Sequence, residues 1–134
     1  MEIKIKIIIT SVSLAFFCVF FGRTAEAAPT YQGVGAFDSG TGNLNVTVPS
    51  GYQDGDVFLL FVESANENIL APAGWIEIPG SPQSTGTPAA DGGVRLAVFY
   101  KVVSGAQANV TVIDSGNHTT AILANFRGVD PSSP

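Results

Sequence analysis

The sequence predicts an all-β fold, an antiparallel β-sandwich of jelly-roll type. Beyond residue 27, no stretch shows the three-and-four spacing of an amphipathic helix. Clusters of Gly, Pro, Asn, Asp and Ser punctuate that region roughly every eight to twelve positions, the rhythm of sandwiches and barrels. Two longer runs, Val57-Phe58-Leu59-Leu60-Phe61-Val62 and Gly93 to Val103, are rich in Val and aromatics and bounded by turn residues.

The first 27 residues read as a secretory signal peptide. Lys4 and Lys6 make a basic start, residues 7–22 are almost wholly apolar, and Ala25-Glu26-Ala27 supplies a cleavage site. An uncleaved anchor is the rival reading; the apolar run is short for spanning and no stop-transfer flank follows it. Cleavage after Ala27 leaves one domain, 28–134, and places the protein outside the cytoplasm, secreted or at the cell surface. Cys18, the only cysteine, goes with the leader, so the exported domain carries no disulfide and its core must hold it together. It retains three cations, Arg95, Lys101 and Arg127, against nine carboxylates. So acidic a surface excludes nucleic acid and anionic lipid as partners, because neither polyanion finds enough neutralising charge.

Seven strands are expected. Residues 30–37 form the first, weakened by Gly33 and Gly35, and 38–43 form a turn. Leu44, Val46 and Val48 alternate with Asn45 and Thr47, giving a half-buried strand. Residues 49–55 make a loop with an Asp-Gly turn, and 57–62, apolar on both faces, reads as a central strand. A short strand runs from Trp75 to Ile78. Residues 80–93 contain no large apolar side chain and read as a long surface loop. On the strand that follows, Val94, Leu96, Val98, Tyr100 and Val102 share one wholly apolar face, expected to be the packed one. Arg95, Ala97, Phe99, Lys101 and Val103 share the other. Val110 and Val112 face inward on the sixth strand, and residues 118–127 form the seventh after a turn at 114–117.

Several of these stretches, in this order, resemble a known module: Val48-Pro49-Ser50-Gly51, Gln53-Asp54-Gly55-Asp56, Pro72-Ala73-Gly74-Trp75, Val94 to Val103, and Phe126-Arg127-Gly128-Val129-Asp130-Pro131. The module is a jelly-roll-like β-sandwich of secreted multidomain bacterial proteins and of phage tail or appendage proteins. The resemblance implies a fold and a mostly non-enzymatic role, and it transfers no functional residue. In such modules the Arg-Gly-Val-Asp-Pro segment sits near the middle, which implies that the chain is the first half of a longer unit.

Residues able to carry chemistry are few. His118 is the only histidine and has no nucleophile elbow to serve. Glu63, Glu67 and Glu77 are candidates for paired-carboxylate chemistry by type alone. Asp54 and Asp56 flank Gly55 and leave calcium as the one cofactor open to the chain, although the remaining ligands of a calcium loop are missing. Trp75, the only tryptophan, is expected to plug the core; exposed, it would stack on a sugar beside Glu77. Arg95, Lys101 and Arg127 read as solvated strand positions. The expected function is a non-catalytic structural or adhesive module without catalytic residues, whose partners are surface proteins or glycans. The alternative is a carbohydrate-binding module using Trp75 and Glu77.

Overall fold

The computed structural model describes residues 28–130. The expected signal peptide and residues 131–134 lie outside them. Every regular element described is a strand: β1 Thr30–Val34, β2 Asp38–Gly40, β3 Leu44–Val46, β4 Val57–Ser64, β5 Ile76–Glu77, β6 Gln83–Thr85, β7 Val94–Val102, β8 Val110–Val112 and β9 Thr119–Arg127. All pairings are antiparallel. A seven-stranded sheet in the order β1-β9-β4-β7-β5, extended by β2 beside β9 and β6 beside β7, packs against the two-stranded sheet β3-β8 as a β-sandwich.

The seven expected strands are all present. Two more appear where turn and loop were expected. β2 lies in the 38–43 segment and pairs Ser39 with Thr120. β6 lies in the 80–93 segment and pairs Ser84 with Arg95. Both are short, polar edge strands held by their backbone ladder, so no apolar alternation marks them. The segment that reads as a central strand, 57–62, lies in β4 at the centre of the large sheet, flanked by the two longest strands, β7 and β9.

The register divides the large sheet into two faces of different composition. On the inner face, Phe99-Leu60-Leu123 and Ala97-Val62-Ala121 form two rows across β7, β4 and β9. They meet Leu44, Val46, Val110 and Val112 of the small sheet in one buried cluster. Polar residues stand towards the ends of this face: the row Arg95-Ser64-Thr119 at one, and Lys101 and Asn125 on either side of the core residue Phe58 at the other.

The outer face is apolar along nearly its whole length. Ile76-Tyr100-Leu59-Ala124-Val34 form a row across five strands, with Val98-Phe61-Ile122 and Val102-Val57-Phe126-Tyr31 on either side of it. The packed face of β7 is therefore the reverse of the expected one. Ala97 and Phe99 are buried in the core cluster, whereas Val94 and Leu96 are 42% and 41% exposed. A period-two pattern favours the wholly apolar face over the one that also carries Arg95 and Lys101, but the side that receives the small sheet is decided by tertiary pairing.

Gly35 shows how the edge of the sandwich closes. Its N–H donates to the Leu123 carbonyl at 2.8 Å, and a Cβ at this position would overlap the Thr47 carbonyl oxygen. Backbone cannot yield as the end of a side chain can. Gly35→Ala is expected to cost about 1–3 kcal/mol by overpacking, read as a fall in Tm, while Gly42→Ala, which meets no atom within 4 Å, leaves Tm nearly unchanged.

Candidate functional site

The bottom of the sandwich is tied by a charged network. Asp56, 2% exposed, enters β4 from the loop at 49–55. Its two oxygens accept Arg127 Nε and Nη2, each at 2.8 Å, Asn125 Nδ2 at 2.9 Å and the Gln53 N–H at 3.0 Å. The Arg127 guanidinium is the main reason the Asp56 carboxyl is pulled down to about 2; burial opposes it, and the Asn125 and Gln53 bonds add to it. Arg127 shifts the opposite way, held protonated by its hydrogen bonds to Asp56. Arg127 is thus a bidentate partner of a buried carboxylate rather than the solvated strand position expected of it. Asp54, the other half of the proposed calcium pair, accepts the Gly105 N–H at 2.7 Å. The two carboxylates are engaged on separate partners, and their hydrogen bonds serve loop closure. Among the described residues no three metal-ligating side chains cluster.

Beside this network opens a groove of about 590 Å³. One wall is the segment from Ser104 through Thr111, with Ile113; the other is Ala71-Pro72-Ala73 and Trp75; Phe58 and Lys101 lie between them. Its frame is built by local bonds. Tyr52 stands edge-on to Phe58 with ring centroids 5.4 Å apart, and its hydroxyl accepts the Gln107 N–H at 2.8 Å. The Asp54–Gly105 bond holds the same wall lower down, and Trp75 N–H closes a turn onto the Pro72 carbonyl at 3.1 Å.

The side chains singled out from the sequence fall in different places. Trp75 is 8% exposed and belongs to the core cluster, with its remaining edge on the groove. Glu77 is exposed, outside the groove lining, and accepts the Ser81 hydroxyl at 2.8 Å. Glu63 accepts the Thr120 hydroxyl at 3.1 Å on the outer face. Glu67 accepts the Asn117 N–H and so closes the turn before β9. His118 is exposed at that turn. The structure does not bring the histidine and the three glutamates to one pocket, and none lines the groove. The sequence reading missed the groove and the Asp56–Arg127 pair. Both depend on residues far apart in the chain, and only Trp75 beside its Pro-Gly turn gave a local signal.

No helix among the described residues is long and apolar enough to cross a membrane. Comparison of the chain with protein-family models, with curated proteins and with solved structures finds no match.

Proposed function

We propose that the chain is a non-catalytic structural or adhesive module of a secreted or cell-surface protein, joined to its neighbours through the outer face of its seven-stranded sheet. The single observation behind this reading is the composition of that face. Ile76, Tyr100, Leu59, Phe61, Ile122, Phe126 and Tyr31 present apolar side chains in continuous rows, and Ile76 and Tyr31 are more than half exposed. At ~4.8 Å between strands and ~3.3 Å per residue the face covers roughly 600 Å². Val57 and Ala124 in these rows are already buried, and Leu59, Phe61, Tyr100, Ile122 and Phe126 are half-buried. The accessible apolar part is therefore smaller than this footprint, within the range of large single patches on solitary domains and below the ~800 Å² each partner gives to a stable interface. Packing it against another β layer at ~10 Å would bury it as sheets in sandwiches are buried. The sequence signals for export and the resemblance to secreted and phage appendage modules point the same way.

In the purified protein a second copy can cover the face. The purified protein is therefore expected to self-associate with rising concentration in sedimentation velocity and to enhance the fluorescence of an apolar dye. The double variant Phe61→Lys/Val98→Lys is expected to stay monomeric and dye-silent. A wild-type protein that stays monomeric and dye-silent at millimolar concentration would overturn the reading.

A further inference from the structure

The groove beside Trp75 joins three features. The first is a bare strand edge. Among the described residues β8 has β3 as its one strand neighbour, so the N–H and C=O groups of its other edge have no ladder, and the residues of β8 and its flanks line the groove. The second is an apolar surround of Phe58, Trp75, Val48 and Val110. The third is a single charge. Lys101 is the only ionic side chain in the lining and forms no hydrogen bond or ion pair with any described residue. A lone cation between apolar walls favours an occupant that brings a carboxylate.

We propose that the groove is a strand-addition site: an extended peptide segment of a partner protein pairs with the free edge of β8 and sets an Asp or Glu side chain against Lys101. Main-chain bonds to β8 supply the affinity, and alternate side chains against the edge of Trp75 and the half-buried Val48 supply the selectivity. The three residues of β8 fit a strand of about four residues, ~13 Å long at ~3.3 Å each. An extended peptide suits the site better than a glycan. Stacking on a sugar needs an open ring face, and Trp75 offers only the edge left by 92% burial of its surface. Glu77, which a sugar site would use, lies outside the lining. The site goes beyond the outer-face reading and occupies the opposite side of the large sheet, so each can fail without the other.

Trp75 is the only tryptophan of the chain, and its fluorescence reports directly on the groove. The probe is an acetylated and amidated five-residue peptide alternating valine and threonine around a central aspartate, titrated into the full protein. A saturable change in Trp75 emission is expected. A central asparagine is expected to weaken binding about fivefold, the upper range for a part-exposed ion pair. Lys101→Met is expected to erase the difference between the two peptides while leaving Tm unchanged. Methylating alternate backbone nitrogens on the edge that faces β8 is expected to abolish binding. Three outcomes would overturn the proposal: no saturable response to the aspartate peptide, equal binding of the methylated peptide, or a response to neutral or acidic oligosaccharides in place of the peptide.

Discussion

Phe99→Ala is expected to unfold much of this protein near its normal working temperature, whereas Val98→Thr, one residue away, is expected to do little. Phe99 is 1% exposed and stands in the row Phe99-Leu60-Leu123, facing the small sheet. Removing its ring loses transfer free energy and leaves a cavity that flanking strands cannot close, at a cost of about 3–5 kcal/mol. For a domain of this size that lowers Tm by roughly 15–30 °C, against a total stability on the order of 5–15 kcal/mol. Val98 lies half-buried on the outer face, beside Phe61 on one side and the 78–81 segment on the other, where a hydroxyl can reach water, so its replacement is expected to cost under about 1 kcal/mol. Thermal melts of the two variants decide which face of β7 carries the core. A larger loss at Val98 than at Phe99 would reverse the assignment.

That contrast marks where sequence reasoning stopped. Period-two alternation located β3 and β8, and apolar runs rich in β-branched or aromatic residues between turn signals located β4, β7 and β9. Pattern alone does not decide which face is covered. On β7 the covered face is the one carrying Arg95 and Lys101, and these charges sit at the two ends of the zone the small sheet covers. β2 and β6 gave no signal at all, since Asp38-Ser39-Gly40 and Gln83-Ser84-Thr85 join the sheet through backbone bonds that any sequence can make.

The candidate site was legible only in fragments. Trp75 as a core plug followed from a lone indole beside a Pro-Gly turn, and the core cluster contains it. The isolation of Lys101 could not be read locally, because it depends on loops at 71–75 and 104–111 that line the same groove. In the sequence Asp56 stands out only as half of the Asp54/Asp56 pair flanking Gly55. Its partner Arg127 is 71 positions away, and a pairing over that separation has no local pattern to announce it.

Asp56→Asn tests that pairing and carries the second large effect. At neutral pH the substitution removes the charge from four hydrogen bonds and leaves an amide N–H₂ facing the donors of Asn125 or Arg127. The cost is expected to be about 2–3 kcal/mol, less than for a fully enclosed ion pair because the Arg127 side chain is 36% exposed and water screens it. The pH dependence follows from the direction of the shift. The Asp56 carboxyl is held at about 2 in the folded protein, below its ordinary value of 3.8, so the unfolded chain takes up the proton first as pH falls. The stabilisation is complete above pH ~4, declines between pH ~4 and ~2 and is lost below. After discounting for screening, it amounts to about 1–2 kcal/mol. The difference in Tm between wild type and Asp56→Asn should therefore be constant from pH 7 to 5 and shrink as pH approaches 2. Arg127→Gln, which removes the main cause of the shift, should flatten the wild-type slope in the same window. A difference that stayed constant down to pH 2 would mean that Asp56 stabilises the fold as a hydrogen-bond acceptor alone, without help from the charge on Arg127.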